Sequence, residues 1–473
     1  MKIRPVYKEH PDKAFNGNPL TECIQPILDA KKIESLLEHT PEFSENFHDL
    51  PTLYKSTNIR RISEFYIPPM LAVSLYYKII ELILDGYRFR NPFTVNMTRF
   101  LEDMADRKQL IQDECKEDET PAYQIIPPGL TIAPGSLLWG PSGSGKTSLL
   151  RLILEIIPQV VVHNGYGDRK DFRQDQLVWV SFDAPVTSSP KMLVINFMAA
   201  VDKALKTNYH TDAIRRYDNT SYEIFIMEAQ EIIANHYIGI AHIDELQFFL
   251  NHKKHKDSPS LQMIEAMFNK LGVPLFITTT EEGLPLIEMN DETKRRFVSE
   301  KVFKLNSLVY GNKHFNAFIE KVFTPTIWGG DVLNDHEEFL YQFYFLSAGL
   351  QAVMMRLARL HLEYCVQLDR PPFDIDTLNS VFESQFGFMK TSLDNLREGN
   401  THLYEENLKR NKKGRPHWSQ TEMDKSTDAE GADETSDHTD NTSSPEPSAT
   451  QVTQTTKKTV EDFHSPGLIG LGS

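Results

Sequence analysis

Gly140-Pro141-Ser142-Gly143-Ser144-Gly145-Lys146-Thr147 decides the fold. It fits G-x-x-x-x-G-K-[ST], in which glycines let backbone N–H groups turn inward around phosphates. The apolar run Leu137-Leu138-Trp139 precedes it and an amphipathic stretch, Leu149 to Ile157, follows. A strand, loop and helix in that order point the positive end of the helix dipole at the phosphates. Lys146 is placed to contact the β- and γ-phosphates, and the Thr147 hydroxyl to hold magnesium. The expected nucleotide-binding set is Gly140, Pro141, Ser142, Gly143, Ser144, Gly145, Lys146, Thr147 and Ser148, and the expected cofactors are ATP and Mg2+.

About 100 residues further on, Ile238-Gly239-Ile240-Ala241-His242-Ile243 ends in Asp244-Glu245. Ligands of open α/β sheets bind at the carboxyl ends of the strands, where both acids fall. Asp244 is the expected magnesium-sphere carboxylate. Glu245 is the expected catalytic group that orients or deprotonates the attacking water. His242 reads as a core histidine beside them. The next apolar run, Val273 to Ile277, ends in Thr278-Thr279-Thr280. A hydroxyl there is a candidate sensor of the γ-phosphate, with Thr279 first and Thr280 next. Arg295 and Arg296, in Lys294-Arg295-Arg296-Phe297, are candidate fingers that would enter a neighbouring subunit's site. The sequence does not separate the two.

Outward from these motifs, four regions emerge. Residues 1–125 hold no nucleotide motif. They include helical spacing from Met70 to Leu84 and a charged segment, Asp103 to Glu119, and are expected to be a mainly helical extension that docks a partner. Residues 126–310 alternate candidate strands (Ser136–Trp139, Gln159–His163, Leu177–Phe182, Ile238–Ile243, Pro274–Thr278) with candidate helices (Lys146–Ile156, Met192–Leu205, Tyr222–Ala234, Leu261–Leu271). That alternation predicts an α/β core with a parallel sheet flanked by helices, the AAA+ type of P-loop fold. Residues 311–400 read as a small helical lid. Residues 401–473 read as a linker and a disordered tail, with a basic cluster from Lys409 to Arg415 followed by a Ser/Thr/Asp/Glu/Pro tract.

Composition bounds the rest. The 473 residues are 40% hydrophobic and 25% charged, with a formal net charge of −16. This acidity argues weakly against nucleic-acid binding, although the acidic tail supplies part of it. No apolar run of about 18 residues predicts a membrane span, and the first residues lack a secretory pattern. The cysteines, Cys23, Cys115 and Cys365, are too scattered for a zinc site or a disulfide framework. A reducing cytoplasm is the simplest setting.

Several stretches resemble TnsC, the ATPase regulator of target-selecting bacterial DNA transposons, and more distantly its TniB relatives. They are Pro5-Val6-Tyr7 with Ala14-Phe15 to Asn18-Pro19-Leu20, and Ile195-Asn196-Phe197 to Asp202-Lys203-Ala204-Leu205 with Asn208-Tyr209. Ile243-Asp244-Glu245-Leu246-Gln247 and the small-residue turn Ser347-Ala348-Gly349-Leu350 belong with them. The resemblance covers roughly residues 1–390. It departs at Thr278-Thr279-Thr280, where the family commonly has Gly-Thr-Pro, and at the lid turn, which lacks an arginine; Arg356 is a weak substitute. The resemblance implies an ATP hydrolase that assembles on double-stranded DNA as a homo-oligomeric ring or filament. It also implies two protein partners, a transposase and a target-selector protein of the TnsD/TniQ type. Lys191, Lys203 and Lys206 are the candidate DNA contacts, in the segment where family members place DNA-facing loops, and the Lys409–Arg415 cluster is another. The alternative is a STAND-like signalling ATPase that clusters protein effectors without DNA.

Overall fold

The computed structural model describes residues 2–113, 133–186, 189–252, 264, 267–268, 271–288 and 298–413. The chain divides into two compact units, residues 1–415 and 416–473, and every described residue lies in the first.

The strands are β1 (Lys2–Ile3), β2 (Gly135–Trp139), β3 (Val160–Tyr166), β4 (Arg169–Leu177), β5 (Trp179–Asp183), β6 (Ile240–Asp244), β7 (Leu275–Thr279) and β8 (Val302–Lys304). Five of them form an all-parallel sheet in the order β5-β6-β7-β2-β8. This is the expected AAA+ sheet. The glycine loop leaves β2, the acids end β6, and the threonines end β7 between them. Parallel direction brings all three carboxyl ends to one edge. Every residue of β6 and β7 is buried, as strands covered on both faces require.

Two expectations for the sheet are corrected. The run read as a strand at Gln159–His163 is not in the parallel sheet. It is β3, which hairpins onto β4 and pairs in parallel with β1 to make a separate three-stranded sheet. The run Leu177–Phe182 is two strands: Leu177 closes β4 and β5 begins at Trp179. The fifth place in the parallel sheet goes to β8, which pairs with Leu137 to Trp139 of β2.

The helices that position the site are α1 (Thr52–Arg60), α2 (Ala72–Arg88), α3 (Lys146–Ile156), α4 (Pro190–Leu205), α5 (Tyr222–Asn235), α6 (Gln351–Leu368) and α7 (Thr401–Lys413). Helices Lys313–Val322, Glu337–Ser347 and Ile375–Phe386 complete the helical region expected over 311–400. The charged segment expected as a helix from Asp103 is described to Asp113, as part of Val95–Asp113, and its remainder lies outside the described residues. Most of the helix expected at Leu261–Leu271 also lies outside them.

Two apolar cores organise these elements. The sheet core joins Leu138, Ile153, Val180, Ile243 and Ile277 to Leu20, Ile33, Leu75, Ile79 and Ile83. The helical core joins Phe315, Phe323, Trp328, Phe343, Leu357 and Phe382 to Phe47, Ile59 and Ile62. Arg90, just after α2, is buried. It donates from Nη1 to the Ile238 carbonyl at 2.6 Å and from Nε to the Gly86 carbonyl at 2.8 Å. Burial pulls its guanidinium down to about 10, and Tyr87 beside it donates to the Tyr237 carbonyl at 2.7 Å. The N-terminal segment is thus bonded to the chain entering β6.

Candidate functional site

The loop after β2 is bent by backbone that side chains resist. Gly143 and Gly145 have φ of 82° and 94°, in the left-handed region where a Cβ is disfavoured. Gly145 caps α3, so the free N–H groups of that helix face the loop's concavity. Lys146 is the first residue of α3 and is buried. Its Nζ donates to the carbonyls of Gly140 at 2.9 Å and Pro141 at 3.0 Å. Burial pulls its pKa below the ordinary lysine value, opposed by Glu405, Glu245 and Asp244. The ammonium is therefore held inside the loop, among three carboxylates.

Asp244, at the end of β6, is buried and takes three donors. Thr147 Oγ1 donates to its Oδ2 at 2.9 Å, the Glu245 backbone N–H to its Oδ1 at 2.8 Å, and the Thr278 hydroxyl also to Oδ1. Thr278 is held in turn by His242, whose Nε2 lies 3.1 Å from its oxygen. Burial pushes His242 down to about 4, so its ring is neutral near pH 7. The Thr278 proton goes to Asp244, so Nε2 of His242 carries a proton and Nδ1 accepts from Ser181 Oγ at 2.8 Å. A hydrogen-bonded chain from Ser181 through His242 and Thr278 therefore fixes the aspartate against Thr147. His242 sits in the core, as its sequence position implies.

Glu245 lies one residue beyond the strand with φ of 56°, a left-handed conformation rarely adopted by a residue with a side chain. Such a backbone costs on the order of 1–3 kcal/mol and persists where its surroundings enforce it. Here the Asp244 carboxylate holds the Glu245 N–H and turns the glutamate into the cleft. Its carboxyl is pushed above the ordinary value, first by burial and then by Asp244, with Lys146 opposing. The Gln247 amide Nε2 donates to its Oε2.

The cleft beside the loop has a volume of about 310 Å³. Loop residues Ser142, Gly143 and Gly145 to Ser148 and the acid Glu245 line one side. Its other wall comes from two places without a motif. One is Phe65, Tyr66 and Ile67, between α1 and α2. The other is Gln351, Ala352 and Met355 on α6, together with Phe318. The Tyr66 backbone is tied by a mutual pair of bonds to His39, each 2.9 Å, which holds this strip against the cleft. An apolar wall opposite a phosphate-type loop suits a flat, hydrophobic base.

The other expected residues fall as follows. Pro141 and Ser144 lie on the loop, and Ser144 is buried. The Thr279 hydroxyl donates to Gln247 Oε1 at 3.0 Å, while the buried Thr280 hydroxyl has no partner among the described residues. Arg295 and Arg296 lie outside the described residues, as does the Lys409–Arg415 cluster apart from the backbone of α7. Lys191 donates to the Tyr217 carbonyl at 2.7 Å and stacks over its ring. Lys203 and Lys206 are exposed at the end of α4. Arg356 of α6 stacks on Phe386 at 4.7 Å. The small-residue turn before α6 is explained by Ala348 and Gly349, both left-handed, at φ of 51° and 66°.

One contact had no signal in the sequence. Glu405 of α7, in a segment read as linker, is buried and accepts the Ser142 N–H at 2.6 Å. Its neighbour Tyr404 donates to the Ser142 carbonyl at 2.9 Å. A carboxylate thus holds one N–H of the phosphate-type loop.

The donor set fits magnesium and a nucleoside triphosphate. A hydroxyl and a carboxylate converge at 2.9 Å, and a buried ammonium donates to two loop carbonyls.

No curated protein matches this sequence. The chain is similar to the Aeropyrum pernix ORC2 protein in ADPNP–ADP complexes, with 11% identity over 68% of this chain and 70% of that chain and a TM-score of 0.37. It is similar to the Walker-type ATPase of Pyrococcus abyssi, with 12% identity over 64% and 76% and a TM-score of 0.36. A likeness to Aeropyrum pernix ORC1 in complex with DNA has 16% identity over 68% and 78% and a TM-score of 0.35. The family described as AAA domain matches residues 134–287, from just before β2 to the helix after β7. With the sheet order and the loop geometry, this makes residues 134–287 an AAA domain, whose cleft is completed by chain from both sides of it.

Proposed function

We propose that this chain is a magnesium-dependent ATP hydrolase. In its ATP-bound form it assembles on duplex DNA as a homo-oligomer, links a target-site selector to a transposase, and disassembles on hydrolysis. The hydrolase part rests on one observation above all: Thr147 and Asp244 meet at 2.9 Å while Glu245 is turned into the cleft beside them. Bound magnesium-ATP supplies the phosphoanhydride and the cation that screens its charge. The loop N–H groups and Lys146 bind the phosphates, and Thr147 with Asp244 holds the ion. Glu245 orients the attacking water and takes its proton. The hydroxyl of Thr279 or Thr280 and an arginine, Arg295 or Arg296, are the sensor and finger of this reading.

The DNA part is supported by the resemblance of residues 1–390 to TnsC. In it, ATP acts as a switch on assembly, and a head-to-tail interface that does not close makes a filament. A second reading, a signalling ATPase that clusters protein effectors, is favoured by the engagement of Lys191 with Tyr217 and by the net charge of −16.

The test is ATPase rate and particle size, each with and without duplex DNA, for the native chain and Glu245→Gln. Large assemblies that need DNA and ATP, persist in Glu245→Gln and turn over in the native chain are expected. Hydrolysis that ignores DNA in both size and rate overturns the DNA part in favour of the second reading. Absence of hydrolysis in every condition overturns the hydrolase.

A further inference from the structure

Resting on the hydrolase reading, we propose that Gln247 is a positioning residue that ties the Glu245 carboxylate to the end of the threonine strand. Gln247 lies in the 3-10 turn Leu246–His252 that follows the acids, and it is 5% exposed. Its one amide group makes bonds in two directions. Oε1 accepts the Thr279 hydroxyl at 3.0 Å and the Thr280 backbone N–H at 3.2 Å. Nε2 donates to Glu245 Oε2.

The orientation of that amide is fixed by chemistry. A backbone N–H only donates, so the atom facing Thr280 must be the oxygen. The NH2 group therefore faces Glu245, and a carboxylate is its natural acceptor. Space around the group is closed as well. A Cβ at Gly283 would overlap Thr279 Oγ1 and approach Gln247 Cβ to 3.3 Å, so the hydroxyl is confined toward the amide.

The arrangement is a planar link between two strand ends. Glu245 follows β6 in a left-handed conformation, outside any regular helix or strand that would orient its side chain. Thr279 closes β7, the strand inserted between the acidic strand and the loop strand. A shift of the β7 end moves the Gln247 oxygen, and the same rigid amide moves the carboxylate. The glutamate is aimed by the strand that carries the candidate sensor, and a misplacement of about 1 Å costs on the order of 10²-fold in rate.

The experiment compares Gln247→Leu with the native chain for steady-state ATP hydrolysis and for the Kd of a fluorescent ATP analogue. Expected is a fall in kcat of about 10- to 100-fold with Kd unchanged within about twofold, because the amide aims Glu245 and does not line the cleft. In a Glu245→Gln background the same substitution adds no further loss, since the two act as a unit. Gln247→Glu keeps an acceptor for Thr279 and Thr280 but offers Glu245 no donor; it gives a comparable fall and serves if Gln247→Leu does not fold. A kcat within twofold of native in either folded variant overturns the proposal. So does a loss that matches weakened nucleotide binding or that adds fully to Glu245→Gln. If the native chain itself fails to hydrolyse ATP, the hydrolase reading falls and takes this one with it; native turnover with an indifferent Gln247 removes this one alone.

Discussion

The two apolar cores differ in how much of the chain each must gather. The sheet core is mostly consecutive, running from Leu137 to Leu305, with Leu20 to Leu37 and Ala72 to Met104 added. The helical core runs from Leu308 to Tyr404, with only Phe47 to Ile67 added. The N-terminal residues are therefore dealt out in turn, first to the sheet, then to the helices, then to the sheet again. Where the chain crosses between them, Phe65 to Ile67 fall against the cleft. The motif-bearing core carries the charged chemistry, and the other core supplies the wall and, through α7, a carboxylate on the loop. Packing thus joins segments that motifs would separate.

The sharpest way to break this comparison is to damage the helical core alone. Trp328 is 1% exposed and lies against Phe323, His361 and Phe373, with centroids 4.3, 6.0 and 5.6 Å away. Trp328→Ala is expected to lower stability by about 3–5 kcal/mol. Chemical denaturation followed by two probes, one in each core, checks it. If the cores are separable, the helical probe unfolds first; coincident transitions show that the shared N-terminal segment welds them.

A pH titration, read as the difference between the native chain and a His361 variant, probes the helical core more gently. His361 is fully buried, stacks on Trp328 and reaches the Pro372 carbonyl from Nε2 at 2.7 Å. Cys365 and Phe339 also face it, and Asp374 is the acid that acts on it. Burial pushes it down to about 4 from an ordinary 6.5. Between those values the unfolded chain binds the proton that the folded chain refuses. Stability should therefore fall as pH drops from about 6.5 to 4, by on the order of 3 kcal/mol from this residue, and level off below. Denaturation midpoints across that range measure it. His361→Gln, which keeps a donor without the titration, should flatten that part of the curve.

The smallest expected effect lies at the contact between the cores. Glu405 places a carboxylate on the Ser142 N–H of a loop built for phosphates. Glu405→Gln keeps an acceptor and removes the charge, so ATP affinity should rise by about 1 kcal/mol, near fivefold. Titration with a fluorescent ATP analogue reads it. Unchanged or weaker binding would show that the carboxylate does not oppose the phosphates.

Much of the AAA domain was legible because its signals are local. Helix Lys146–Ile156 begins and ends where the sequence places it, and the acids close their strand as expected. What escaped has two physical causes. Strands β1 and β8 have two and three residues, too short for any alternation to register, and β3 looks like a core strand because its partner is a hairpin it forms with β4. The other cause is separation along the chain. Ser142 and Glu405 stand 263 positions apart, and Phe65 to Ile67 carry no pattern that marks a cleft wall. The trailing Gln247 was visible as a residue, but its two hydrogen bonds across to Thr279 and Thr280 needed the strand order.

Arg90 gives the acidic strand a fixed origin. Its guanidinium and the Tyr87 hydroxyl hold the carbonyls of Ile238 and Tyr237 just before β6 begins. Along a strand, consecutive side chains point to opposite faces, so a slip of a single position would exchange what faces the loop. Asp244 would swing away from Thr147, and the Thr147 and Thr278 hydroxyls would lose their acceptor together. Arg90 lies outside the AAA-matched segment, yet it works as the zero mark from which the position of the Asp244 carboxylate is counted.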